Sequence, residues 1–258
     1  MSAVTSASET SGAPLSLVFI HGFLDNRSVW SPLMARLESR SYAHYTLDLR
    51  GAGTLRADHG PYTLAQASAD VERLIEEHRL TRVVLVGHSM GGQIAELAAM
   101  KLPERVAALV LLTPVSLAGS QLPPEAVSFL RTSGGNPDAQ REIRRQFSRN
   151  LPEEEIGRLV REGVLMGVGA VEGYFDAFSG GDPAGHAPCS YSGPVLIAGA
   201  QDDPVVPIEA VAAMARTRFP TARLVRIGQS GHWPHLEQPD QTAAAIEAFL
   251  AECAVPAP

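Results

Sequence analysis

One serine, Ser89, stands where its hydroxyl group could act as a nucleophile. The segment Gly87-His88-Ser89-Met90-Gly91 follows the apolar run at 83–86 and precedes a helical pattern at 91–101. At a strand–turn–helix junction the central side chain is lifted above the carboxyl ends of the strands, where open α/β sheets bind ligands. The spacing matches the G-x-S-x-G nucleophile elbow, whose glycines keep the tight turn free of side chains. The alternative is a turn serine that only caps the helix.

A serine hydroxyl needs a base to become a good nucleophile at neutral pH. Of the eight histidines, His232 in SGHWPHLEQPD has the most suitable setting, because it follows a glycine in a loop between the last strand and the last helix. His235 is expected to pack or to hydrogen-bond near Pro234. Histidines at 44, 59, 78 and 186 have no comparable setting and are expected to be at the surface or structural.

The base in turn needs an acid that fixes its tautomer and stabilises its charged form. The segment GPVLIAGAQDDPVVP offers two carboxylates, Asp202 and Asp203, just after a predicted strand. The chain order is then serine, aspartate, histidine, which is the order expected for a nucleophile elbow of this kind.

An oxyanion formed at Ser89 also needs hydrogen-bond donors. The N–H group of Met90 lies at the start of a helix, where backbone donors are unpaired and the helix dipole favours negative charge. The segment FIHGF ends the first predicted strand, and the N–H group of Phe23 is the candidate for the second donor. The alternative for His21-Gly22 is a plain turn that ends the strand.

Composition narrows the function classes. The chain has 258 residues, 45% hydrophobic and 19% charged, as in an ordinary globular protein. Its formal net charge of −7 disfavours nucleic acid and acidic membranes as partners. The two cysteines, Cys189 and Cys253, form neither a disulfide framework nor a metal site.

Residues 1–14 are expected to be a disordered leader rather than a signal peptide, and no apolar run reaches transmembrane length, so a cytoplasmic protein is predicted.

Apolar patterns alternate between strand and helix along most of the chain, which predicts an α/β fold with a parallel sheet covered on both faces. Strands are predicted at 15–20, 45–49, 82–86, 106–112, 195–200 and 222–227. Helices are predicted at 30–37, after the N-cap Thr63, and at 91–101, 208–216 and 241–252. Residues 115–190 contain helical segments punctuated by proline and glycine with no clear strand. We therefore expect a core of residues 15–114 and 191–258 that is interrupted by a helical insertion at 115–190.

Five sequence pieces occur in one order and at consistent spacing: HGF, DLRGAG, GHSMGG, DDPVVP and GHWPHLEQP. With these pieces the chain resembles the α/β-hydrolase superfamily from about residue 15 to residue 250. The resemblance implies a mostly parallel sheet of about six or more strands and a triad of Ser89, an aspartate and His232. It also implies that the amides of Phe23 and Met90 form an oxyanion hole, that residues 115–190 form a helical cap, and that no metal or organic cofactor is needed.

The resemblance also bears on which aspartate completes the triad. Family members usually have P-x5-G-x-x-D-x3-P here, and counting from Pro194 or back from Pro207 gives Asp203. Counting from Gly199 gives Asp202, which stays the alternative acid. Few residues precede the first strand, so the family's opening hairpin is not expected. Ala200 replaces a customary glycine, Leu55 replaces a frequent serine, and Asp48 and Arg50 are interpreted as bracing a loop.

The function implied by the resemblance is hydrolysis of a carboxylic ester or lactone. Haloalkane dehalogenases and epoxide hydrolases of this fold use an aspartate at the position of Ser89, and carbon–carbon bond hydrolases usually have asparagine at the position of His88. Ser89 therefore makes the dehalogenases and epoxide hydrolases unlikely. His88 disfavours the carbon–carbon bond hydrolases without removing them. A cofactor-free perhydrolase and a ligand receptor with little turnover also stay open.

The substrate is expected to be a small molecule with an apolar acyl group. Its binding residues are open, because the insertion offers large side chains that suit either its own core or a pocket wall: Leu130, Phe147, Met166, Tyr174 and Phe178. Arginines at 141, 144, 145 and 149 are expected to form a solvated helix face. The oligomeric state cannot be inferred from the sequence.

Overall fold

A six-stranded parallel sheet runs through the computed structural model, which describes residues 15–37 and 42–254. The strands are β1 (Leu15–Ile20), β2 (Tyr42–Thr46), β3 (Val83–His88), β4 (Val106–Leu112), β5 (Val195–Ala200) and β6 (Arg223–Ile227), in the spatial order β2-β1-β3-β4-β5-β6. The predicted fold class, a parallel sheet with helices on both faces, is confirmed. The predicted disordered leader, residues 1–14, lies outside the described residues.

Ten α-helices connect and flank these strands in the described part of the chain. They are α1 (Ser31–Met34), α2 (Leu64–Glu77), α3 (Met90–Lys101), α4 (Pro124–Arg131), α5 (Pro137–Phe147), α6 (Glu153–Gly163), α7 (Val168–Gly180), α8 (Ile208–Arg218), α9 (Pro234–Glu237) and α10 (Pro239–Ala254). Helices α4–α7 all fall within residues 115–190, between β4 and β5. None of the helices described is both long and apolar enough to cross a membrane.

Side chains of the central strands alternate between two apolar cores, as the two-residue period of a strand requires. In β3, Val83 and Leu85 pack with α2, α3 and α8, whereas Val84 and Val86 pack with α1 and α10 on the opposite face. Both sets are fully buried. This two-sided burial explains why the strand sequences are almost continuously apolar.

Three strand predictions differ from the structure at their ends, the sixth only in that it begins at Arg223 instead of residue 222. The second strand was predicted at 45–49 but is Tyr42–Thr46. The prediction was misled by Leu47 and Leu49, which lie in the loop after the strand but are buried and so continue the apolar pattern. The third strand extends beyond 86 to His88, because Gly87 and His88 still pair with Leu111 and Leu112 of β4. Ser89 therefore follows directly after a paired residue.

Candidate active site

Ser89 occupies a strained turn between β3 and α3. Its backbone has φ +53° and ψ −120°, a conformation that side-chain-bearing residues rarely adopt. Its N–H group donates to the carbonyl of Leu112 at 3.0 Å, and its own carbonyl accepts from Gly92 N at 2.9 Å. These hydrogen bonds fix the turn against β4, and strain of this kind, about 1–3 kcal/mol, tends to cluster at active sites.

The two glycines of the motif are required by close backbone contacts. A Cβ atom on Gly87 would overlap the carbonyl group of Gly91, and a Cβ atom on Gly91 would overlap the carbonyl oxygen of Ile20 at the end of β1. Any larger residue would push α3 away from the sheet. The spacing G-x-S-x-G thus follows from the space available in this turn.

His232 lies between Ser89 and Asp203 in a continuous chain of hydrogen bonds. The distance from His232 Nε2 to Ser89 Oγ is 2.9 Å, and that from His232 Nδ1 to Asp203 Oδ2 is 2.8 Å. All three residues are buried, with 5–6% of their surface exposed. With Nδ1–H donating to Asp203, Nε2 is free to accept the proton of the Ser89 hydroxyl. The arrangement is capable of moving a proton from Ser89 to His232.

Asp203 is oriented by its own loop. Its Oδ1 atom accepts hydrogen bonds from Val205 N at 2.8 Å and Val206 N at 3.1 Å, which leaves Oδ2 for His232. Asp202 instead pairs with Arg149 at 3.1 Å, and its N–H group donates to Ser230 O. Of the two sequence candidates, the structure brings Asp203 to the imidazole.

Phe23 and Met90 both adjoin Ser89. Met90 follows Ser89 as the first residue of α3, where backbone N–H groups have no acceptor inside the helix. A Cβ atom on Gly22 would lie only 3.2 Å from Ser89 Cβ, so the Gly22–Phe23 peptide runs alongside the serine. The two backbone segments predicted to donate to an oxyanion are therefore next to Ser89.

A narrow apolar cavity opens over Ser89 and His232. The cavity volume is about 50 Å³, which is room for a few water molecules, since each needs about 10–15 Å³ of cavity volume. Leu130, Phe147 and Phe178 of the insertion line it. Met166 and Tyr174 are instead buried within the hydrophobic core.

The prediction that Arg144 is solvated is wrong. Its side chain is 1% exposed, lines the cavity and lies 2.8 Å from Asp25 Oδ1, whereas Arg141, Arg145 and Arg149 are 37–50% exposed. Because α5 is rich in polar residues, its sequence suggested that Arg144 is exposed like the other arginines. The only local signal is that Arg144 lies three residues before Phe147 on the same helix face, and nothing in the sequence points to its partner Asp25.

Two further histidines form a neutral layer behind His232. His88 donates from Nε2 to the carbonyl oxygen of His232 at 2.7 Å, and burial, reinforced by the nearby His232, lowers the pKa of His88 to about 3. The ring of His235 contacts those of His88 and Trp30 in tilted arrangements, with centroids 4.5 Å apart in both pairs. Burial holds the pKa of His235 well below the ordinary value. Thr113 Oγ1 also donates to His232 O, at 3.0 Å. Two donors therefore fix the carbonyl group of His232.

Glu237, which the sequence analysis did not single out, ties the His232 loop to the chain after α5. Its Oε2 atom accepts from the N–H groups of Arg149, Asn150 and Gly231 at 2.7–3.0 Å, and Oε1 accepts from Trp233 N at 3.2 Å. The N–H group of His232 itself donates to Phe147 O at 2.8 Å. The position of the imidazole thus depends on both the core and the insertion.

Comparison with known proteins identifies relatives of this chain in both sequence and structure. The model of the alpha/beta hydrolase family matches residues 17–245. The sn-1-specific diacylglycerol lipase of Mus musculus is 27% identical over 256 residues, covering 92% of this chain and 81% of that protein. The 3-oxoadipate enol-lactonase 2 of Acinetobacter baylyi is 26% identical over 243 residues, covering 91% and 88%. A thermophilic esterase from Thermogutta terrifontis superposes with a TM-score of 0.77 at 27% identity, covering 95% and 92%.

Replacing Glu237 with glutamine is expected to destabilise the fold by about 1–2 kcal/mol, because the amide NH₂ group would face backbone N–H donors. Urea unfolding followed by circular dichroism measures the change. Glu104→Gln is the matched control, since Glu104 is 67% exposed and should change stability by less than about 0.5 kcal/mol. Equal stability of Glu237→Gln and the wild type would contradict the anchoring role.

Proposed function

We propose that this chain, which belongs to the alpha/beta hydrolase family, is a serine hydrolase that cleaves a carboxylic ester or lactone through an acyl-enzyme intermediate. The observation that carries the proposal is the hydrogen-bonded chain from Ser89 Oγ through His232 to Asp203 beside an apolar cavity. A buried serine, histidine and carboxylate in this order form the constellation used for acyl transfer on several unrelated folds.

In the proposed mechanism, His232 Nε2 accepts the proton of Ser89 as Oγ attacks the carbonyl carbon. The imidazolium that forms is stabilised by Asp203 through Nδ1–H. The backbone N–H groups of Phe23 and Met90 stabilise the negative oxygen of the tetrahedral intermediate, and the loss of one such donor typically costs about 2.7–4 kcal/mol. His232 then donates its proton to the departing alkoxide.

Deacylation repeats these steps with water. His232 removes a proton from a water molecule, the hydroxide oxygen attacks the acyl carbonyl, and the proton passes to Ser89 as the acid leaves. Because His232 and Asp203 are nearly enclosed, little bulk water competes with these transfers. The residues already present supply the base, the acid and the oxyanion donors, so the mechanism assigns no step to a cofactor.

We assign residues 115–190 as the cap of this site, with residues 15–114 and 191–258 as the core. The assignment is supported by the cavity, whose wall includes Leu130, Phe147 and Phe178 from the insertion and Phe23 and Val206 from the core. A small volume and a mostly apolar wall favour a short apolar acyl group. The relatives support ester and lactone bonds alike, since their names include a lipase, an enol-lactonase and an esterase. We expect a cytoplasmic enzyme for small-molecule substrates.

Ser89→Ala should lower the turnover of p-nitrophenyl esters by at least about a thousandfold, because no nucleophile remains. Wild-type rates measured across acyl lengths C2 to C12 should peak at the short end, since the cavity is small. Ser128→Ala, on the surface of α4, is the control and should keep the wild-type rate. A Ser89→Ala enzyme with wild-type turnover and unchanged circular dichroism would refute the proposal.

Asp203→Asn should reduce kcat by roughly ten-thousandfold, because the amide cannot stabilise the imidazolium and favours the wrong tautomer of His232. Asp202→Asn should change kcat by less than about threefold, since it removes only a half-exposed pair with Arg149. Steady-state kinetics of the two variants decide between them. The opposite pattern would assign the acid to Asp202.

A further inference from the structure

The turn after β1, which contains Phe23, has a backbone conformation that its own sequence does not favour. Asp25 N donates to Gly22 O at 3.4 Å across the turn, and Leu24 has φ +62°. Glycine usually occupies left-handed backbone of this kind, because a Cβ atom makes it unfavourable. Such a residue persists only where the surrounding structure holds it. The turn that carries the proposed oxyanion donor therefore depends on contacts from outside.

Arg144, from helix α5 of the insertion, binds the far side of this turn. Its Nη2 atom donates to Leu24 O at 2.7 Å, and its Nη1 atom lies 2.8 Å from Asp25 Oδ1. All three residues are buried. Loss of the guanidinium group would take the Arg144 donor away from a buried carbonyl, which is unfavourable. Arg144 thus acts on the strained residue itself.

Asp25 extends the same cluster to the loop that holds the base. Its Oδ2 atom accepts a hydrogen bond from Trp233 Nε1 at 3.2 Å, and the guanidinium carbon of Arg144 lies 4.8 Å from the centre of the Trp233 ring. Trp233 directly follows His232. Arg144 and Asp25 therefore contact both the turn that carries Phe23 and the residue next to the base.

The pair of Arg144 and Asp25 is charged in the folded protein. Burial alone would raise the pKa of Asp25, but Arg144 and the nearby His88 and His21 hold it below its ordinary value. Because desolvation offsets much of the attraction in a buried ion pair, such a pair adds little net stability. The planar guanidinium group does, however, bind two acceptors in fixed directions, which suits it to fixing a geometry.

We propose that Arg144, paired with Asp25, is a positioning residue that holds the Phe23 N–H group at the oxyanion site. The sheet sets one end of the turn beside Ser89, and Arg144 sets the other end. The insertion thus supplies part of the oxyanion-binding geometry in addition to a wall of the pocket. The inference rests on the proposed ester hydrolysis, in which Phe23 stabilises the tetrahedral intermediate.

Two inhibitors of nearly the same shape test this assignment: trifluoromethyl propyl ketone and the corresponding alcohol. Ser89 Oγ adds to the ketone carbon while its proton passes to His232, and the carbonyl oxygen becomes a hemiketal oxyanion. The alcohol occupies the pocket without forming an oxyanion. The Ki of the alcohol divided by the Ki of the ketone therefore measures oxyanion formation separately from pocket binding. We expect a ratio of at least about one hundred in the wild type.

The double variant Asp25→Asn/Arg144→Met should lower this inhibitor ratio, and kcat for p-nitrophenyl esters, by about ten- to a hundredfold each. It removes both buried charges and keeps a side-chain oxygen for Trp233 Nε1, which donates to Asp25 in the wild type. Arg144→Lys keeps the charge without the planar group, so its ratio should lie between those of the wild type and the double variant. This variant serves if the double variant does not fold.

Two control variants separate positioning from a general loosening of the insertion. Val171→Ala removes buried methyl groups from α7 without altering the cavity wall, and Arg145→Met removes an exposed arginine of α5. Val171→Ala should lower the urea midpoint of unfolding yet keep the wild-type inhibitor ratio, and Arg145→Met should change neither. The pH dependence of kcat/KM should keep its wild-type midpoint in every variant, because the hydrogen bonds of Ser89, His232 and Asp203 stay in place.

An unchanged inhibitor ratio in the double variant or in Arg144→Lys would overturn the positioning role while leaving ester hydrolysis intact. An equal loss in Val171→Ala would also overturn it, since the cause would then be the packing of the insertion. A shifted pH midpoint would do the same, since it would trace the loss to the base. Absence of Ser89-dependent hydrolysis of p-nitrophenyl esters by the wild type would instead refute the proposed function, and this inference with it.

Discussion

The close approach of the β3–α3 turn to the end of β1 is the constraint on which the rest of the site depends. Gly91 packs against the carbonyl oxygen of Ile20 with no room for a Cβ atom. This contact holds Ser89 in its strained conformation and brings the Gly22–Phe23 peptide beside it. The nucleophile and both oxyanion donors of the proposed mechanism are thus positioned by backbone packing within one part of the sheet.

His232 is positioned differently, by contacts that cross the chain. Its carbonyl accepts from His88 and Thr113, its N–H donates to Phe147 O, and Glu237 binds the N–H groups on either side of it. Phe147 belongs to the insertion and its side chain also lines the cavity. Since a displacement of about 1 Å can cost a hundredfold in rate, movement of α5 would affect the base as well as the pocket. Substrate binding and proton transfer are coupled through this one residue in the proposed mechanism.

Local patterns were sufficient to predict most of the fold. The strands at 15–20, 106–112 and 195–200 have the predicted bounds, because each is an apolar run ended by turn residues. The second strand was misplaced, since Leu47 and Leu49 are buried in a loop rather than in the sheet. The family resemblance, through the spacing of two prolines, favoured Asp203 over the alternative Asp202, and it is Asp203 that lies 2.8 Å from the imidazole.

Residues that depend on distant partners were beyond sequence reasoning. Arg144 is buried by Asp25, which lies more than a hundred positions away, and a polar helix gives little sign of such a pairing. Among the described residues, the Glu237 carboxylate binds backbone N–H groups, which carry no residue-specific signal. The substrate pocket could not be predicted for the same reason, because its walls come from α4, α5, α7, the β3–α3 turn and the loops after β1, β4, β5 and β6, which meet only in the folded chain.

Covalent labelling tests the central claim, a nucleophilic Ser89 activated by His232, most directly. The wild-type protein would be treated with a fluorophosphonate and examined by intact-protein and peptide mass spectrometry. We predict one adduct, on Ser89, that forms at least about a hundredfold more slowly in His232→Ala and is absent in Ser89→Ala. Labelling at another residue, or equal labelling with and without His232, would contradict the account.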